Sequence, residues 1–112
     1  MPTPYCPSRG DIVWIDLLPT IGHEQSGKRP AIVLSPIAYN KMVGLMLCCP
    51  ITSKEKGYPF EVKIPEGSQI SGVVLSDQVR SLDWKSRNTS LVAKAPRELI
   101  DDVLAKLQTL LT

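Results

Sequence analysis

The spacing of apolar positions changes character near residue 96. Before that point the chain runs in short stretches separated by Pro and Gly, which is the punctuation of strands and turns. "DIVWIDL" (11–17) alternates Ile12, Trp14 and Asp16 against Val13, Ile15 and Leu17. "AIVLS" (31–35) is a continuous apolar run between Pro30 and Pro36, the pattern of a strand buried on both faces, and "VGLMLCCPIT" (43–52) reads the same way. "YPFEVKI" (58–64) sets Phe60, Val62 and Ile64 against Glu61 and Lys63, which predicts a half-exposed strand; "ISGVVLS" (70–76) and "TSLVAKA" (89–95) are two more. In "PRELIDDVLAKLQTLL" the period lengthens. Leu99, Ile100, Val103, Leu104, Leu107, Leu110 and Leu111 recur every three or four residues, as on one stripe of a helix. Pro96 fits its first turn, and Glu98 suits the positive end of the helix dipole. Strands followed by one helix predict a mainly β fold: a small, strongly bent antiparallel barrel with the helix covering one opening.

Composition narrows this only a little. The 112 residues make one domain, 1–112, with 43% hydrophobic residues and a net charge of +2. That charge is too small to announce a nucleic-acid partner by itself. Cys6, Cys48 and Cys49 are odd in number and form no C-x-x-C pair, so neither a disulfide framework nor a zinc site is expected. Adjacent Cys48 and Cys49 on an extended strand point to opposite faces. No apolar run approaches the roughly 18 residues that span a bilayer, and no signal peptide is visible at the start. The expectation is a cytoplasmic protein with no membrane association.

Candidate chemistry gathers in the connections. The 18–29 segment is long for a hairpin loop and holds His23, Glu24, Lys28 and Arg29. His23 is the sole histidine, too few for a metal site, though its ordinary pKa suits proton transfer. Pro30 fixes the chain directly after Arg29 and leads into a buried strand, so Arg29 is anchored beside the sheet, with a guanidinium suited to bidentate phosphate contact. Thr52 ends a strand and offers a hydroxyl; Asp77 and Gln78 end another, where an isolated Asp is ordinarily a turn former. Lys54 and Lys56 follow Thr52, and Arg80, Lys85 and Arg87 surround Trp84 in "DQVRSLDWKSRNT" (77–89). Each basic residue alone is an ordinary surface charge; together they sketch a basic rim. Trp14, mid-strand, is assigned to core or interface, and Trp84 to base stacking. No Gly-rich phosphate loop, G-x-S-x-G or H-E-x-x-H is present, so no cofactor is expected. These residues fit anion binding or metal-free phosphodiester chemistry without separating the two.

The blocks "RGDIVWIDLLPTIGHEQSGKRPAIVLSP", "PITSKEKGYPFEV" and "GVVLSDQVRSLDW", in that order, resemble the MazF/PemK (Kid) family of toxin endoribonucleases over nearly the whole chain. The resemblance implies an SH3-like barrel of the plasmid-maintenance toxin (CcdB-like) type. It implies a homodimer that cuts single-stranded RNA at a short sequence without metal or ribosome, and a cognate antitoxin whose acidic tail occupies the RNA groove. Site residues follow two family patterns. One uses Arg29 and Thr52 with Glu24; the other uses His23 and Asp77 with an Arg two residues earlier, where this chain has Leu75. Lys28 stands where the first pattern's best-known member has His. Arg29 and Thr52 are therefore ranked first, and Lys28, Lys54, Lys56, Gln78, Arg80, Trp84, Lys85 and Arg87 are expected to contact RNA. Two alternatives share the architecture: a non-catalytic barrel of the gyrase-poison type, and a degenerate toxin that only pairs with its antitoxin.

Overall fold

The computed structural model describes residues 5–16 and 27–112. His23 and Glu24 lie outside them. Among the described residues the strands are β1 (Asp11–Asp16), β2 (Lys28–Val33), β3 (Leu45–Thr52), β4 (Glu61–Lys63), β5 (Val73–Leu75), β6 (Arg80–Asp83) and β7 (Ser90–Lys94), and the helices are α1 (Ile37–Val43) and α2 (Arg97–Leu111). All strand pairings are antiparallel, in the order β4-β5-β3-β2-β1-β7, with β6 on β3. The expected bent antiparallel sheet with a C-terminal helix is what forms.

β3 organises it. Its first half pairs with β6 (Leu45↔Asp83 to Cys48↔Arg80) and its last two residues pair with β5 (Ile51↔Val74, Thr52↔Val73). On its other side Ala31↔Pro50, Ile32↔Cys49 and Val33↔Cys48 join it to β2. One strand serving two neighbours in succession bends the sheet and puts a core on each side. Ile12, Ile32, Cys49, Ile51 and Val74 pack under α2 against Leu99, Val103 and Leu107. Those three recur at four-residue spacing, as one face of a helix requires. Val13, Ile15, Ala31, Val33, Met46 and Cys48 form the second core with Leu82 and Trp84. Cys48 and Cys49 thus fall on opposite faces, as an extended strand demands.

Three expectations change. Residues 37–43 form α1, closed by Gly44 in the left-handed conformation with its N–H on Asn40 O, 3.0 Å. The 77–89 segment is not wholly loop, since β6 runs through it. Nor is β3 buried on both faces along its length: Leu45 and Leu47 are exposed, and so are Ile37, Tyr39, Met42 and Val43 on and beside α1. Asn40 ties α1 to the second core. Its Nδ2 donates to Pro7 O (2.8 Å) and Ser35 O (3.1 Å), and its Oδ1 accepts from Ser35 Oγ (2.6 Å).

Candidate nucleic-acid interface

β2 begins three residues before the predicted strand, so Lys28 and Arg29 already belong to the sheet, opposite Asp16 and Ile15. Arg29 is exposed, and its Nη1 donates to Lys28 O at 3.0 Å. That contact holds the guanidinium against its own strand. Its other N–H groups have no partner among the described residues. The β2–β3 ladder ends at Ala31↔Pro50, and Arg29 and Thr52 lie two residues beyond it, one on each strand. Thr52 Oγ1 accepts from Lys54 N at 3.1 Å, which leaves the hydroxyl hydrogen available as a donor.

Arg29 and Thr52 line a cavity of about 710 Å³, with Lys54, Gln78 and Arg80 from the sequence-predicted set. Trp14, Cys48, Ser53, Gln69 and Ser71 are also in its wall. Among the described residues the wall holds three cations, Arg29, Lys54 and Arg80, and no Asp or Glu. Such a concave surface with uncompensated positive charge attracts an anion. Arg80 reaches it because β6 pairs with β3, placing it beside Cys48.

The other candidates stand elsewhere. Asp77 is exposed in the turn after β5 and does not line the cavity. Neither Lys28 nor Lys56 lines it; Lys56 N instead donates to the Glu61 carboxylate (3.2 and 3.1 Å), as does Gly57 N (2.9 Å). Arg87 Nη1 donates to Asp16 O at 2.8 Å, clasping the end of β1. Trp84 is a correction. It is only 6% exposed and its Nε1 donates to Asn40 O at 3.0 Å, so its ring serves the second core. β6 delivers it there, and α1, absent from the sequence expectation, covers it. Lys85 lies over the same ring, 5.5 Å from its centroid.

Burial pushes the Cys48 thiol up to about 11, although Arg80 and Arg87 pull the other way. Cys49 is pushed up to about 12, chiefly by burial. Both stay protonated at neutral pH and neither is a nucleophile there. Among the described residues no three of His, Cys, Asp and Glu come together, and no helix is long and apolar enough to cross a membrane.

Comparison with known proteins bears on the family and the fold. Residues 8–111 match the model of the PemK-like, MazF-like toxin of type II toxin–antitoxin systems. The chain is 44% identical over 107 residues to the endoribonuclease toxin MazF of Escherichia coli K12, covering 96% of each protein. It is 32% identical over 105 residues to endoribonuclease EndoA of Bacillus subtilis 168, covering 89% of this chain and 90% of that one. A crystal structure of MazF from Deinococcus radiodurans superimposes with a TM-score of 0.87 at 53% identity, over 96% of this chain and 98% of the other. A MazE–MazF structure from the same organism gives 0.87 at 48% identity, over 96% and 97%. With its bent antiparallel sheet, its C-terminal helix and a match to all but its first seven residues and its last one, the chain belongs to the PemK-like, MazF-like toxin family of type II toxin–antitoxin systems.

Proposed function

We propose that the chain is a sequence-specific endoribonuclease that cuts single-stranded RNA without metal or ribosome, the toxin of a toxin–antitoxin pair acting in the cytoplasm. The observation that carries this is the cavity walled by Arg29, Lys54 and Arg80, with Thr52 in the same wall and no described carboxylate. RNA brings its own nucleophile, so the protein need only move protons and stabilise charge. Glu24 or His23 takes the proton of the 2′-hydroxyl, whose oxygen attacks the adjacent phosphorus. Arg29 stabilises the extra negative charge on the phosphoryl oxygens; its pKa above 12 makes it a poor proton carrier. Thr52 donates its hydroxyl hydrogen to one of those oxygens. The bond to the 5′-oxygen breaks, and that oxygen takes up a proton. The products are a 2′,3′-cyclic phosphate, open to hydrolysis, and a 5′-hydroxyl.

Incubation of the purified protein with a long single-stranded RNA in EDTA tests this. Discrete fragments with 5′-hydroxyl ends are expected, and DNA of the same sequence should remain whole for lack of a 2′-hydroxyl. Intact RNA would instead favour the gyrase-poison type of barrel or a degenerate toxin. An antitoxin with an acidic tail fits the same cavity by charge and would compete with RNA for it.

We infer further that the chain is a homodimer. Tyr39, Met42 and Val43 of α1 and Leu45 and Leu47 of β3 are large apolar residues left exposed, Met42 at 84%. Such a cluster on a small domain marks an interface. A homodimer through this face should sediment as such at micromolar concentration, and Met42→Glu with Leu47→Lys should shift it to monomer. A wild-type chain that is monomeric there would remove the homodimer from the proposal.

A further inference from the structure

We propose that Trp14 is the platform on which an unpaired base of the substrate stacks beside the reacting phosphate, an inference that rests on the ribonuclease function proposed for the same cavity. Trp14 sits on β1 between two strands, opposite Pro30 of β2 on one side and Ser90 of β7 on the other. Its neighbours Val13 and Ile15 are 0% exposed, whereas Trp14 is only partly buried. The β1–β7 register shifts between Ile12 and Val13, just before it. The extra residue, Val92, is on β7, so β1 itself keeps its alternation. Trp14 lines the cavity with Arg29, Thr52 and Lys54, and it is the one aromatic residue in the described wall. Its indole N–H has no partner among the described residues, unlike that of Trp84.

A groove for single-stranded nucleic acid needs cations to follow the backbone and a flat aromatic surface for the bases. Arg29, Lys54 and Arg80 supply the first. Trp14 supplies the second from a strand paired on both sides, so little of its motion remains to be lost on binding. Stacking accepts any base, because every base has a π-face. Trp14 therefore contributes affinity and placement, whereas the amides of Gln69 and Gln78 in the same wall can address base edges.

The test uses the whole protein and a single-stranded RNA spanning its mapped cleavage site, 2′-O-methylated so that it binds without being cut. Titration should quench part of the tryptophan emission, and Trp14→Phe, which leaves only buried Trp84, should lose that response. With cleavable RNA, Trp14→Ala should raise KM roughly tenfold or more with the cleavage sequence unchanged, while Trp14→Phe stays within a few fold. Thermal melts of both variants check folding. Suppose the wild type cleaves RNA, its emission does not respond, and Trp14→Ala keeps the wild-type KM. The stacking role is then wrong and the ribonuclease stands. If the wild-type protein neither cuts nor binds RNA, the ribonuclease proposal fails and takes the stacking role with it.

Discussion

Arg29→Ala should lower kcat/KM for RNA cleavage by about 10²–10³-fold, the cost usually seen when one preorganised donor to developing negative charge is removed. Arg29→Lys should recover only part of that loss, because a lysine keeps the charge but not the planar fork that grips two phosphoryl oxygens. Arg29 is exposed at the end of a strand whose apolar residues begin at Ala31, so neither variant should move the melting temperature appreciably. Thr52→Val, close to isosteric, removes the hydroxyl donor in the same wall and should cost about tenfold or more. Steady-state cleavage of one defined oligonucleotide by all four proteins decides the matter. A lysine variant with wild-type rates would sink the bidentate role, and charge alone would then explain the cavity.

The placing of Arg29 and Thr52 at the ends of neighbouring strands was legible in the sequence for a simple reason. A residue bound to Pro30 at a strand start, and a hydroxyl at the end of the next strand in order, are placed by local pattern plus one antiparallel pairing. The core of the sheet and α2 were legible on the same grounds, since their apolar periodicity is local. What the pattern hid depends on contacts distant in the chain. α1 is seven residues long, too short for its spacing to stand out beside the apolar run that follows it. β6 has only Leu82 buried among four residues, so "RSLD" looks like loop until β3 is there to pair with it. Trp84 is placed differently from its sequence reading for this reason. Trp84 stands among basic residues in sequence but is carried into a core closed by α1 and Asn40. Trp14 stands in an apolar strand but opens onto the cavity. The departures at Lys28 and Leu75 also read differently in place. Lys28 is outside the cavity wall, and Leu75 is within it as an apolar contact.

Gly72→Ala should damage both stability and cleavage, for a reason invisible in the sequence. Gly72 has φ of +123°, and a Cβ there would stand 2.2 Å from Thr52 O and 3.1 Å from Ser53 Cα. The obstacle is backbone, so no side-chain rotation relieves it. Gly72 O accepts from Ile64 N at 3.0 Å, and the next residue, Val73, pairs with both Thr52 and Lys63. An alanine must therefore push β5 and the end of β3 apart or break that ladder. Backbone strain of this kind costs on the order of 1–3 kcal/mol before the clash is counted, which for a domain of this size lowers the melting temperature by roughly 10 °C. The end of β3 carries Thr52 and leads into Ser53 and Lys54 of the cavity wall. A displacement of about 1 Å in a positioning element can cost roughly 10²-fold in rate. Gly67→Ala separates the two effects. Gly67 has φ of +88°, but a methyl added there would meet nothing within 4 Å, so it carries conformational strain without collision. Assayed well below both melting temperatures, Gly67→Ala should cleave RNA like the wild type and Gly72→Ala should not. Equal activity in the two variants would show that the contact between Gly72 and Thr52 is a matter of stability alone, and that Thr52 holds its place without it.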